Sequence, residues 1–452
     1  MTSIPDAIFR PNSIAVIGAS DDPGKLGYMV TKAFVDMGVC ERIYPVNPRQ
    51  RQVQGFDAFA NARDIGADGV DLAIVVLPPA AVPDAIRDCV AKGAKGVIVF
   101  SSLIGDDGQD EAEIVGYARR NGTRIIGPDS MGMYCPSGGL ALFPNMPREA
   151  GPVAFLSHSG AIAYMVSHWG VSRGVRFSEV VDCGNECDLG FADFLEYLGD
   201  DPRTTVISGY IEGVKDGKRF LEAAASVARR KPVILLKSGV TERSHDVVAS
   251  HTGFLAGSPQ TWESAFKQAN LVRVDSIDDL IDCQVMFDKL PPLEGRRIAL
   301  ISGTGGPLVM ATDLCAKAGF LIPTLSPETR ERIRRFLPPY GTSARNPVDL
   351  SISAGVNVEL YSQSVDILGN SDEVDILLLI HAGEWRGNEV AECIAEAAKG
   401  SRNPVIMVML GTPEKTSKAM ATLADAGVAA FPSLERTVKC LASFTDYHAS
   451  KA

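Results

Sequence analysis

No apolar run in this sequence approaches the roughly 18 residues of a membrane-crossing helix, so a helical membrane protein is not expected. The N-terminal MTSIPDAIFRPNS lacks a basic region followed by an apolar stretch, so no secretory signal is read there. Cysteine is sparse: nine residues in 452, scattered, with no CxxC pair, Cys183 and Cys187 being the closest. An odd count without framework spacing argues against a disulfide scaffold and fits a reducing compartment. These cysteines read as small buried hydrophobes, and no metal site is expected. Basic residues are outnumbered, 44 Lys and Arg against 55 Asp and Glu, for a net charge of -11. That balance disfavours sequence-independent nucleic-acid binding, which needs a basic surface. The expectation is a cytoplasmic protein with neither a membrane nor a nucleic-acid partner.

What is present is apolar residue in quantity, 46% of the chain, enough for real cores. The length suggests about three domains. Short β-rich apolar runs alternate with helical patterns, among them SIAVIGAS (13–20), DLAIVVLPP (71–79), PVAFLSHSG (152–160), PVILLKSG (232–239) and DILLLIHAG (375–383). Continuous apolar strands separated by helices predict parallel sheets covered on both faces. A strand running into a Gly/Ser loop and a helix recurs at 14–36, 153–169 and 298–318. Each reads as the first βα unit of an α/β domain. Segments rich in Pro, Gly and charge at 148–151 and 291–296 place the boundaries, giving blocks 1–148, 149–290 and 291–452.

In the first block the strand ends in Gly18-Ala19-Ser20-Asp21-Asp22-Pro23-Gly24-Lys25-Leu26-Gly27 before a helix. Such a turn lets backbone amides approach a phosphate, and the helix N-terminus adds partial positive charge. Lys25 could supply a point charge. Serine at 20 breaks the G-x-G-x-x-G pattern, and the second strand, ending Tyr44-Pro45-Val46-Asn47-Pro48, carries no ribose-binding acid. NAD is therefore disfavoured. Pro78 and Ser101 close the third and fourth strands, at the carboxyl ends where open α/β sheets take ligands. The block predicts a cleft for a nucleotide-bearing cofactor other than NAD; a tight turn without ligand is the alternative.

The second block holds two features. Leu156-Ser157-His158-Ser159-Gly160-Ala161 is a strand end entering a helix, where the amides of Ser159, Gly160 and Ala161 would point at an anion. Farther on, VASHTGFLAG (248–257) sets His251 among small residues. A neutral imidazole is a competent nucleophile toward phosphorus when its second nitrogen is held by an acceptor. Glu212, closing TVISGYIEG, is a fair candidate for that acceptor. Taken alone, His251 reads first as a structural imidazole and Glu212 as a surface carboxylate; spacing does not prove the pair.

The motifs IAVIGASDDPGKLGY, IYPVNP, GPDSMG, LSHSGA, GYIEGVKDGKRFLEAA, KPVILLKSG, ASHTGFLAGS, FKQAN, GTGGPLVMATD and NPVDL follow one another nearly end to end. In this order the chain resembles the α subunit of ADP-forming (NDP-forming) acyl-CoA synthetases, relatives of succinyl-CoA synthetase. The resemblance implies an N-terminal Rossmann-like CoA-binding domain followed by two flavodoxin-like domains. It implies that Gly18, Ser20, Gly24, Lys25, Gly27, Asn47, Pro48, Pro78 and Ser101 line a CoA site. It makes His251 a phosphohistidine, Glu212 the carboxylate that orients it, and Ser157, Ser159, Gly160 and Ala161 the phosphate-holding helix N-terminus. Asn185, in DCGNECD, matches an element near the acyl site.

The sequence departs from the family pattern at His158, where Gln is usual, and at Asp129 and Ser130, where GPNCMG reads GPDSMG; the resemblance implies that His158 either adds charge beside the phosphate site or marks a specialised acyl pocket, and that Asp129 adds an acid near the acyl carboxylate or thioester. No block resembles the ATP-grasp domain that binds ADP. The resemblance therefore implies a separate ATP-grasp β subunit carrying ATP/ADP with magnesium, an α2β2 assembly, and a carboxylic acid substrate. A non-catalytic CoA- or acyl-CoA-binding regulator is the alternative, and a nicotinamide-dependent dehydrogenase a weaker one.

Overall fold

The computed structural model describes residues 4–38, 42–66, 69–102, 109–141, 143–241, 243–244, 248, 257–293, 295–382 and 385–451. It divides into two compact units, residues 1–171 with 176–275, and residues 172–175 with 276–452.

The first unit contains two sheets. Strands β1 (Ser13–Ile17), β2 (Arg42–Val46), β5 (Leu72–Val75), β6 (Gly96–Val99) and β7 (Arg124–Ile126) form a parallel sheet in the order β2-β1-β5-β6-β7. A small hairpin, β3 (Gln52–Val53) with β4 (Phe56–Asp57), lies between β2 and β5 in sequence. The second sheet takes β8 (Met133–Tyr134), β9 (Val153–Ser157), β10 (Phe177–Asp182), β11 (Val206–Ile211), β12 (Val233–Lys237) and β13 (Val272–Val274), in the order β13-β12-β11-β9-β10-β8. All its pairings are parallel except β8, which runs antiparallel at the edge.

Helices α1 (Leu26–Met37), α2 (Val82–Ala91), α3 (Gln109–Arg120), α4 (Gly160–Ser172), α5 (Phe191–Asp200), α6 (Gly217–Ala228) and α7 (Pro259–Gln268) connect these strands. Every residue of β1, β5, β9, β10 and β12 is buried. That is why the strands read as unbroken apolar runs rather than alternating ones. One hydrophobic core serves both sheets, joining Ile14, Ile98 and Ile126 to Leu156, Phe191 and Leu235. Burying apolar surface on both sides of each sheet is the main term holding the unit together.

The second unit is a parallel sheet of β14 (Ile298–Ser302), β15 (Val348–Asp349), β16 (Ile376–Ala382), β17 (Val405–Leu410) and β18 (Ala429–Phe431), ordered β15-β14-β16-β17-β18. The α/β architecture of parallel-sheet domains predicted from the sequence is the one observed. Met133 and Tyr134, read as part of the first block, join the second sheet. Among the described residues no helix is long and apolar enough to cross a membrane, and no cluster of His, Cys, Asp and Glu could hold a metal ion.

Candidate active site

The Gly18–Gly27 turn is built on a close backbone crossing. Gly18 has φ +96, and a Cβ there would lie 2.3 Å from the Val76 carbonyl oxygen; one at Gly27 would lie 1.9 Å from the Gly18 oxygen. Only glycine permits that approach and that conformation. Ser20 is buried and its hydroxyl accepts the Asp22 N–H at 3.0 Å. Asn47 donates to the Ala19 carbonyl at 2.7 Å and accepts the Arg49 N–H at 2.8 Å, tying the end of β2 to the turn beyond β1. Ser101 donates to the Leu77 carbonyl at 2.7 Å, and Pro78 introduces the short helical turn at Pro79–Ala81. Gly18, Ser20, Asn47, Pro48, Pro78 and Ser101 thus stand at the carboxyl ends of four adjacent strands. Gly24 and Lys25 form an exposed lip, with the Lys25 ammonium 3.8 Å from Asp22. A lysine beside the first-turn amides of α1 has the chemistry to hold a phosphate.

The loop following β10 is moored to the first sheet. The amides of Asn185, Cys187 and Leu189 donate to the carbonyls of Pro128, Gly127 and Ile125 at 2.9, 2.9 and 3.1 Å, in the manner of an added edge strand. Asp188, its side chain wholly buried, accepts from Arg124 at 2.9 and 3.0 Å, from the Ile125 amide at 2.8 Å, and from Arg119. Asn185 donates its side-chain N–H to Asp129 at 2.7 Å. Asp129 is exposed with φ +53, a left-handed conformation that aspartate tolerates better than most residues. Ser130 faces inward instead: its hydroxyl donates to the Asp182 carbonyl at 2.5 Å and accepts the Gly132 N–H at 3.0 Å. It shapes this turn and is not exposed to a ligand.

Helix α4 begins at Gly160, beside this loop. A Cβ at Gly160 would come 2.3 Å from the Met131 side chain and 2.8 Å from Asp182 Oδ2. Asp182 is buried and accepts the amides of Met131 at 2.6 Å and Gly184 at 3.3 Å. Loss of solvation pushes its carboxyl up to about 7; the two amides and nearby His158 act in the opposite direction, and Asp129 adds to the rise. The amides of Gly160 and Ala161, in the first helical turn, lack intrahelical acceptors and carry the partial positive charge of the helix end. The Ser159 amide, expected to be free, is engaged: it donates to the Ser157 hydroxyl at 3.0 Å, while that hydroxyl donates to the Ser159 carbonyl at 2.8 Å. A serine hydroxyl two residues back is a ready local acceptor.

His158 does not line an open pocket. Its side chain is fully buried. Nδ1 accepts the Glu212 N–H at 3.2 Å, and Nε2 pairs with Glu186 Oε1 at 2.9 Å. Glu212 is itself buried, beside the Tyr210 hydroxyl at 3.3 Å. Its carbonyl accepts from Lys237 at 2.9 Å; the Lys237 ammonium also reaches the carbonyls of Ser238 and Gly239 and lies 4.9 Å from the Trp262 ring centroid. Loss of solvation pulls the Lys237 ammonium down to about 8, with Glu212 opposing.

His251 lies outside the described residues. The described residues that bracket its segment pack beside this group: a Cβ at Gly239 would meet the Val248 side chain at 2.7 Å, and one at Gly257 would meet the Trp262 indole nitrogen at 3.0 Å. The structure therefore brings Asp129, Asn185, Gly160, Ala161, His158 and Glu212 to the carboxyl ends of one sheet and the loop beside it. The sequence reading missed Asp182, Glu186, Asp188 and Lys237. A lone ionisable residue closing an apolar strand, as in VVD and VILLK, was the available signal for the first and last. A groove of about 810 Å³ between α5 and α6 contains none of the predicted residues, and its arginines pair with its own acids.

Three family models cover the chain: a CoA binding domain over residues 12–136, a succinyl-CoA ligase like flavodoxin domain over 150–287, and a Ligase-CoA domain over 298–451. The chain is 39% identical over 417 residues to acetate–CoA ligase (ADP-forming) II subunit alpha of Pyrococcus furiosus, covering 90% of each. It is 34% identical to the I subunit alpha of the same organism, covering 99% of this chain and 98% of that one. Among solved structures it is similar to a dinucleotide forming acetyl-coenzyme A synthetase 1 of Ca. Korarchaeum cryptofilum in complex with phosphate and ADP, with a TM-score of 0.88 and 31% identity, over 99% of this chain and 97% of that chain. The family models span the Gly18–Gly27 turn, the entry to α4 and the strand ends described above, and with relatives of this identity and coverage the chain belongs to the ADP-forming acyl-CoA synthetases as an α-subunit-type, CoA-binding ligase.

Proposed function

We propose that the chain interconverts acyl-CoA, ADP and phosphate with a carboxylic acid, CoA and ATP, using His251 as the phosphoryl carrier. Acetate is the first acid to test, because the relatives with the higher identities are named for it. A phosphate oxygen attacks the thioester carbonyl, the C–S bond breaks, and sulfur leaves as thiolate. His251 then attacks phosphorus in the acyl phosphate, the bond to the acyl oxygen breaks, and the free carboxylate departs. Phosphohistidine finally passes its phosphoryl group to ADP. Dividing the transfer in this way replaces one difficult step by easier ones.

The observation that carries this reading is convergence. The part-exposed first turn of α4, the Asn185–Asp129 pair and the buried Glu212 lie together at the strand ends, bridged by His158. In this reading the amides of Gly160 and Ala161 offset charge on the transferring phosphoryl group. Ser157 and Ser159 shape the turn that presents them, and Glu212 orients His251. Asn185 and Asp129 border the acyl group. Gly18, Ser20, Gly24, Lys25, Gly27, Asn47, Pro48, Pro78 and Ser101 take CoA. The blocks 1–148, 149–290 and 291–452 are the CoA-binding, phosphoryl-carrying and C-terminal domains. An ATP-grasp β subunit supplies the site for ATP/ADP and magnesium in a cytoplasmic α2β2 assembly.

Radiolabelled ATP, with the partner subunit present, tests the reading. Wild type takes up acid-labile, base-stable phosphate, and His251→Asn abolishes it. Glu212→Gln slows labelling and leaves CoA binding intact. Labelling that persists in His251→Asn removes His251 as the carrier.

A further inference from the structure

Strands β10, β9, β11 and β12 are neighbours in the second sheet, and a row of hydrogen bonds crosses their carboxyl ends. Glu186 follows β10, His158 follows β9, Glu212 follows β11, and Lys237 closes β12. Glu186 Oε1 pairs with His158 Nε2 at 2.9 Å; His158 Nδ1 accepts the Glu212 N–H at 3.2 Å; the Glu212 carbonyl accepts from Lys237 at 2.9 Å. Both polar atoms of one peptide residue are thus gripped by side chains from the two flanking strands.

The geometry also assigns the imidazole tautomer. An atom that accepts an amide N–H must present a lone pair, so Nδ1 carries no proton and the ring proton sits on Nε2, where it is donated to Glu186. Glu186 is fixed in turn: Oε1 also accepts the Phe191 amide at 2.7 Å, and the neighbouring Asn185 is bound to Asp129. The His158 ring stands edge-on to Phe191 with centroids 5.4 Å apart. Buried hydrogen-bonded networks of this kind hold their members in one arrangement because leaving any partner unsatisfied is costly.

We propose that His158 and Lys237 are positioning residues for Glu212, His158 holding its N–H and Lys237 its C=O, so that its carboxylate is pre-aimed for phosphoryl transfer and coupled through Glu186 to the acyl-site loop. This rests on the reading of Glu212 given above. Neither side chain touches substrate. Both act by removing the freedom of residue 212, and misplacement of a catalytic group by a fraction of an ångström is expensive. His158 is also thereby excluded as an alternative phosphoryl carrier, since both ring nitrogens are committed.

Three measurements on the full chain with its partner subunit test the row. The first is the rate of phosphate labelling and the kcat/KM split for His158→Leu, His158→Gln and Lys237→Met. The Leu and Met variants should lose about tenfold in labelling rate and kcat, the scale of a buried hydrogen bond beside charge, with KM for CoA unchanged. His158→Gln should recover labelling to within about threefold, because an amide offers the same acceptor–donor pair. The second is amide hydrogen exchange at Glu212, slow in wild type and faster in His158→Leu. The third is the 15N spectrum of His158, expected to show the Nε2–H tautomer. Wild-type labelling in His158→Leu, an equal loss in His158→Gln, an Nδ1–H or doubly protonated ring, or unchanged exchange at Glu212 overturns the proposal. Absence of labelling in wild type would remove the phosphohistidine reading instead, and the exchange and 15N data would still judge the row.

Discussion

Asn185 donates to Asp129 at 2.7 Å across 56 residues of sequence, joining the loop after β10 to the turn after β7. It is one of several bonds that tie the second sheet of the first unit to the first. Asp129→Asn keeps an acceptor for Asn185 and suits the left-handed backbone, so the fold should be retained. It removes a negative charge from the place proposed for the acyl carboxylate. KM for the free acid should fall about threefold at low salt, and the change should shrink at high ionic strength. Steady-state kinetics in the acyl-CoA-forming direction check it; a KM that does not move at either salt places Asp129 away from the substrate.

Asp188 is the strongest mooring of the same loop. Asp188→Ala would leave Arg124, whose side chain is only 10% exposed, buried without the carboxylate it pairs with among the described residues. The expected cost is about 3 to 5 kcal/mol. Arg119→Ala should cost less than about 1 kcal/mol, since that side chain is 53% exposed. Urea unfolding of the two variants side by side measures the difference, and equal costs would contradict it.

Gly160 opens α4 with no room for a methyl group against Met131 and Asp182. Gly160→Ala should destabilise by about 1 to 3 kcal/mol through overpacking and displace the first-turn amides. Phosphate-dependent turnover should drop more than CoA affinity. Calorimetric CoA titration beside activity assays separates the two effects, and an activity equal to wild type would show that the helix start can move harmlessly.

Asp182 makes stability depend on pH. Burial raises its carboxyl to about 7 in the fold, against about 4 when unfolded. Between those values the unfolded chain ionises first, so the folded state loses its advantage as pH rises and reaches a plateau above about 7. Asp182→Asn does not titrate. Its melting temperature relative to wild type should therefore increase from pH 5 to pH 8. Parallel melting scans at the two pH values decide this, and a difference that stays flat or shrinks would refute it.

Exposed Lys25 gives the contrasting case. Lys25→Ala should leave stability within about 0.5 kcal/mol while weakening CoA binding, with a smaller dependence of affinity on salt than wild type. Titrations of CoA at two ionic strengths test it; an unaltered affinity would take Lys25 out of the CoA site.

Much of the architecture was legible because long buried strands leave an unmistakable apolar signature. Runs such as AIVV in DLAIVVLPP and ILLLIHA can be satisfied only between covered faces. The glycine-rich turn at 18–27 was equally legible, since the backbone crossing it makes excludes any side chain. Met133–Tyr134, Val272–Val274 and Val348–Asp349 were not read as strands. Two or three residues carry too little periodicity, and their pairing is fixed by a neighbouring strand already in place.

The sequence by itself determined the α/β class and the residue types gathered at the strand ends, because these follow from apolar periodicity and glycine placement, which are local. Only the tertiary structure decided that Glu186, His158, Glu212 and Lys237 form one row, that the Ser159 amide is already taken, and that Asp188 pins the loop after β10. His158 and Glu212 stand 54 residues apart, Glu212 and Lys237 25, and Asp188 and Arg124 64. Hydrogen bonds at such separations depend on strand order and register, and no local pattern encodes which strand ends become neighbours.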